Sequence, residues 1–108
     1  MTKPKRFNQP LTVAGIQQMT NELYTNSPRT SVLALSVLIA IVNQQGVSPA
    51  EISQQVTNDR NSSSVQTIIK RLESWELVQL VDVPYKHGEH PRKELWLTTK
   101  AAKMFQLT

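Results

Sequence analysis

Two neighbouring segments hold the residues best suited to chemistry: Ser48-Pro-Ala-Glu-Ile-Ser-Gln-Gln-Val56 and Ser62-Ser-Ser-Val-Gln-Thr-Ile-Ile-Lys-Arg-Leu-Glu-Ser-Trp75. In the second, Val65, Ile68, Ile69 and Leu72 recur at helical spacing, so one stripe of it is buried. At about 100° per residue the opposite arc then carries Ser63, Thr67, Lys70 and Ser74, with Gln66 and Arg71 on its flanks. Hydroxyls and a primary amide match the hydrogen-bonding edges of bases, while Lys and Arg match phosphate oxygens. That face suits the groove of a duplex, and only one acid, Glu73, interrupts the helix before its last turn.

The elements that must position this face can be read from local signals. Ser48 caps the first of the two helices, Pro49 suits its first position, and Glu51 stands at capping-box spacing. Residues 12 to 24 form a preceding helix with Thr12 as cap and Val13, Ile16, Met19 and Leu23 on one side. After the breaker Asn26-Ser-Pro28, residues 30 to 44 are apolar on too many sides for a surface helix, so they form the central core helix, ended by Gly46. Leu77–Val83 is rich in β-branched residues and reads as a strand, residues 84 to 93 as a loop, and Glu94–Thr98 as the returning strand. Thr98 or Thr99 caps a last short helix, from Lys100 to Gln106. The expected fold class is mainly α with a small β-hairpin.

Composition bounds the rest. The chain has 108 residues and 39% hydrophobic content, enough for one modest core and most simply one domain at 11–108 behind a basic arm at 1–10. It has no cysteine, which excludes disulfides and thiolate metal sites. No apolar stretch follows the basic N-terminus, and the run Val37–Val42 is too short to span a bilayer, so a cytoplasmic location is expected. The net charge of +4 is gathered at Lys3, Lys5 and Arg6 and in the C-terminal half, which permits a polyanionic partner. The arm itself is expected to be a flexible, solvated tail.

The order of helix, core helix, helix-turn-helix, hairpin and helix is that of a winged helix-turn-helix domain, and the residues resemble its MarR-like branch. The resemblance is carried by Val47-Ser-Pro-Ala-Glu-Ile-Ser53, Ser64-Val-Gln-Thr-Ile-Ile-Lys-Arg-Leu-Glu73, Leu77-Val78 and Leu95-Trp-Leu-Thr-Thr-Lys100, and covers most of residues 30 to 105. It places the helix-turn-helix at about 48–75 and the wing at about 77–98. Some positions depart from the family pattern. The turn at Thr57–Asn61 is about two residues longer than the family's usual turn and lacks the usual apolar plug. Glu76 stands where Gly is common, and there a left-handed helix end would cost about 1 kcal/mol or more. Ala101 also replaces a usual Gly, and the sequence ends at Thr108, before the long dimerising helix of full-length relatives.

The resemblance and the exposed arc together imply a sequence-specific regulator of transcription, a repressor or autoregulator, that binds double-stranded DNA. Asn61, Ser63, Gln66 and Thr67 would lie near base edges, with Arg60, Lys70 and Arg71 on phosphates. One of Asn61 and the serines Ser62, Ser63 and Ser64 is expected to cap the helix, leaving the others for DNA. The wing would add Tyr85, Lys86, His87, Arg92 and Lys93. His87 and His90 with Glu89 supply too few ligands for a metal site, so no metal or cofactor is expected. Nor is catalysis, since no Gly-rich phosphate loop or catalytic constellation occurs. A homodimer is expected, chiefly through Ile16, Met19, Leu23 and Tyr24, aided by Met104, Phe105 and Leu107. The alternative is a winged-helix module that binds protein through the wing and Trp96. That side chain either offers a partner surface or is covered by the N-terminal helix.

Overall fold

The computed structural model describes residues 6–7, 10–83 and 92–107. Helix α1 spans Val13–Asn26, and a 3-10 turn at Pro28–Thr30 leads into α2, Ser31–Asn43. Then come α3 at Pro49–Thr57 and α4 at Ser63–Ser74. Strands β1, Val78–Val83, and β2, Arg92–Leu97, pair antiparallel with Val78 opposite Leu97 and Val83 opposite Arg92. Helix α5, Thr99–Met104, follows. Four of the helices start on a hydroxyl that accepts an amide otherwise left without a partner. Thr12 accepts from Gly15 at 3.0 Å, Ser48 from Glu51 at 3.3 Å, Ser62 from Val65 at 3.4 Å and Thr98 from Ala101 at 3.1 Å.

Helix α2 is the centre, packed by α1, α3, α4 and β2. Its Val37, Leu38 and Ile41 are fully buried, together with Met19, Leu23, Ile52, Leu72, Leu95 and Phe105. Each such side chain contributes about 1.5–3 kcal/mol when taken from water. One expectation about facing needs correction. Val13 is 84% exposed, because the buried stripe of α1 runs through Gly15, Met19 and Leu23; on α2, Val32 is 83% exposed on the outer side of the first turn. Gly15 lets α5 cross close by, since a β-carbon there would lie 2.1 Å from the carbonyl oxygen of Phe105.

Helices α1 and α5 therefore cover each other within one chain. Met19, Leu23, Phe105 and Leu107, expected to face a second copy, are buried in this core instead. The apolar stripe needed a cover, and α2 and α5 of the same chain supply it.

Helix α4 does end left-handed at Glu76, with φ 62°. The Leu77 amide reaches back to the Leu72 carbonyl at 2.9 Å and the Glu76 amide to Glu73 at 3.0 Å, the bonding pattern of a glycine-type helix ending. Leu72 and Leu77 are both buried, which adds the apolar contact of that motif. Two further bonds hold the strained residue: the Thr98 hydroxyl donates to the Glu76 carbonyl at 2.6 Å, and the Lys100 ammonium to the Trp75 carbonyl at 3.1 Å. The same ending recurs after α5, where Gln106 has φ 60° and the Leu107 amide donates to Ala102 at 2.8 Å.

Candidate nucleic-acid interface

The turn between α3 and α4 has a polar centre in place of an apolar plug. Ser53, 1% exposed, donates its hydroxyl to the Asp59 carbonyl and accepts the Ser62 amide at 3.1 Å. Around it, Asn58 takes a left-handed φ of 59° and its amide caps α3 on the Gln54 carbonyl at 2.8 Å. The Asn61 amide meets the Asp59 carboxylate at 2.9 Å. One buried hydroxyl thus ties the last turn of α3 to the first residue before α4. It fixes the position of the second helix of the motif against the first.

On that support, α4 buries Val65, Ile68, Ile69 and Leu72 and leaves Ser63, Gln66, Thr67, Lys70, Arg71 and Ser74 exposed, as the spacing predicts. Arg60 and Asn61 are exposed in the preceding turn. Ser62 is the cap, half-buried, so among the candidates its hydroxyl is already engaged by the Val65 amide. Ser63, Thr67 and Arg71 form one edge of the exposed arc. With Ser64 and Ile68 they face Thr30 and Leu33 at the start of α2 across a shallow notch of about 280 Å³. Periodicity within α4 could not have brought in Thr30, which joins the surface only through tertiary packing.

In the wing, Lys93 is exposed and pairs in register with Asp82, so an opposite charge stands beside it. Arg92 opens β2 across from Val83. Tyr85, Lys86 and His87 lie outside the described residues, as do His90 and the loop tip. The wing is joined to the helices by an isolated antiparallel β-bridge between Val47 and Leu95, in which Gly46 donates to the Leu95 carbonyl at 2.8 Å and Leu95 to the Val47 carbonyl at 2.8 Å.

The outward Trp96 is covered, by the arm rather than by the N-terminal helix. Its ring is partly buried, lies 5.4 Å beneath the Arg6 guanidinium, and donates its indole N–H to Glu94 at 3.1 Å. Gly46, at φ 91°, supports the same ring so closely that a β-carbon would stand 2.9 Å from it. Arg6 also donates to the Gln45 carbonyl at 3.1 Å. Next to it, the buried Gln45 side chain brackets Phe7: the Phe7 amide donates to Oε1 at 3.0 Å and Nε2 donates to the Phe7 carbonyl at 2.9 Å. At Arg6 and Phe7, then, the expected flexible arm is tied down; residues 1–5, 8 and 9 lie outside the described residues. Trp96 is thus half-buried against Arg6 and Gly46 rather than freely presented.

Among the described residues no helix is long and apolar enough to cross a membrane. No protein-family model matches the chain, and no curated protein matches it. A solved structure does: the PcaV transcriptional regulator from Streptomyces coelicolor, a MarR-family protein crystallised with its natural ligand. The likeness has a TM-score of 0.54 at 22% identity and covers 84% of this chain and 62% of the regulator. The chain is a winged helix-turn-helix protein, and the resemblance to the MarR-like branch read from its motif residues holds for the fold.

Proposed function

We propose that the chain is a transcriptional regulator that binds double-stranded DNA sequence-specifically, as a repressor or autoregulator, in the cytoplasm and without catalytic activity. The observation that carries this is the exposed arc of α4. It presents Ser63, Gln66, Thr67, Lys70 and Arg71 to solvent from a helix whose start, end and tilt are all fixed. Gln66 and Thr67 suit base edges, while Lys70, Arg71 and Arg60 suit phosphates. The fold shared with a regulator of transcription supports the same reading.

A single recognition helix makes few base contacts, so a two-fold pair reading half-sites about 34 Å or a multiple apart is part of the proposal. With Met19 and Leu23 in the core, the contact surface moves to the outer side of α1. There Val13 and Tyr24, 62% exposed, lie eleven residues apart on one face. The test is a salt titration of binding to a random duplex. Log affinity should fall linearly with log salt with a slope of several units. Absent or salt-independent binding would refute the reading.

A further inference from the structure

Beyond the groove-facing arc, we propose that the notch between the start of α2 and α4 seats a phosphate of the duplex backbone, with Thr30, Ser64 and Arg71 as its ligands; the inference rests on the DNA-binding reading above. The geometry begins with α4 itself. An α-helix with its side chains is about 10–12 Å across and the major groove is about 12 Å wide, so a helix lying in it has both flanks against backbone. The two flanks of α4 are chemically unlike. Taking the buried stripe as reference, one flank holds Gln66 and Glu73, and the other holds Ser64 and Arg71. A carboxylate repels a phosphate, so the Glu73 flank is the poorer backbone neighbour.

The opposite flank borders an open concavity of mixed lining, hydroxyls and a guanidinium beside two apolar side chains. Ser63, Ser64, Thr67 and Arg71 form one wall, and Thr30 faces them from the 3-10 turn above Leu33. The hydroxyls of Ser27 and Thr30 share a hydrogen bond of 2.6 Å, which holds the Thr30 oxygen in place; with Ser27 as the donor of that bond, the single Thr30 proton is left to donate to a phosphate oxygen. Arg29, adjacent in the chain and exposed, adds a second positive charge at this end of α2. Hydroxyls and a guanidinium converging on a small open notch fit a phosphodiester, whose free oxygens are acceptors only. Leu33 and Ile68 form its apolar floor. Such a seat would set how far α4 slides along the groove, and would do so through residues outside the helix-turn-helix.

The experiment compares the full-length chain with Thr30→Val, Thr30→Ser, Ser64→Ala and Arg71→Gln, titrated by fluorescence anisotropy on a random duplex of about three helical turns at several salt concentrations. Thr30→Val and Ser64→Ala should each weaken binding about threefold or more for every sequence, with the salt slope unchanged because a hydroxyl carries no charge. Thr30→Ser, which keeps the hydroxyl, should bind as the parent does. Arg71→Gln should weaken binding and lower the slope by about one. Ser64 is exposed, so its variant reports on the notch even if Thr30→Val perturbs the 3-10 turn. Parent-like affinity in Ser64→Ala and Thr30→Val overturns the seat while leaving DNA binding intact. No binding by the parent chain overturns both.

Discussion

Gly15 on α1 and the Phe105 carbonyl after α5 approach so closely that no side chain fits between them: a β-carbon would stand 2.1 Å from the oxygen and 2.7 Å from the carbonyl carbon. The obstacle is backbone, which cannot rotate away as a side chain can. This contact sets how closely the C-terminal helix lies on α1, which also packs against α2.

Gly15→Ala should accordingly destabilise the fold, against the ordinary helix preference. Alanine in a helix interior normally gains about 1 kcal/mol over glycine, but overpacking a close contact costs about 1–3 kcal/mol, and here the second effect wins. Thermal unfolding should fall by several degrees. A rise in melting temperature would show that α5 yields without loss.

Glu76→Gly should act in the opposite direction. The left-handed conformation costs a non-glycine residue about 1–2 kcal/mol, and the greater freedom of glycine in the unfolded chain returns about 0.5–1 kcal/mol of that. A net gain of about 0.5–1 kcal/mol is expected in urea denaturation. An unchanged or lower midpoint would mean that the bonds from Thr98 and Lys100 already relieve the strain.

Removing the hydroxyl at the centre of the turn should loosen the reading head. Ser53→Ala removes the hydroxyl that accepts the Ser62 amide and donates to the Asp59 carbonyl. These groups keep only the longer Ser62 amide to Asp59 carbonyl bond at 3.4 Å and the Thr57 hydroxyl to Asp59 carbonyl bond at 3.3 Å, at a cost of about 1 kcal/mol. Amide exchange at Ser62 and in the first turn of α4 should accelerate more than exchange in α2. Equal protection in parent and variant would assign the turn's rigidity elsewhere.

Base choice and affinity should separate along α4. Gln66→Ala is expected to relax preference at one base position by about 1–3 kcal/mol, read by sequencing bound members of a random duplex pool. Lys70→Ala should weaken every sequence alike and lower the salt slope by about one. A uniform loss for Gln66→Ala with sharpened choice for Lys70→Ala would invert these roles.

What could be read from the residues was mostly local. Hydroxyl caps depend on bonds spanning three residues, so Thr12 and Ser48 were legible outright and Ser62 and Thr98 as one choice among neighbours, while the Val65, Ile68, Ile69 and Leu72 stripe depends on helix pitch alone and was legible too. The polar plug was not: Ser53 sits six residues from Asp59 and nine from Ser62, and nothing in its type separates a buried hydroxyl from a solvated one. Periodicity likewise identified Met19 and Leu23 as needing cover but could not say whether this chain or a second copy would provide it. Thr30 and Gln45 escaped for a related reason. Each matters through partners distant in the chain, Ser64 and Arg71 for the one and Phe7 for the other.

The bracket that Gln45 makes around Phe7 copies, with a side-chain amide, what a neighbouring strand does with its backbone: it gives one donor and takes one. Asparagine has the same head on a shorter stem, and glutamate has the length without the donor, so neither could replace it fully. The joint is made by side chains: the Gln45 amide holds the Phe7 main chain while Phe7 is itself buried in the core, so the arm is held without strand pairing at this point. The arm is in that sense buttoned to the domain rather than woven into it.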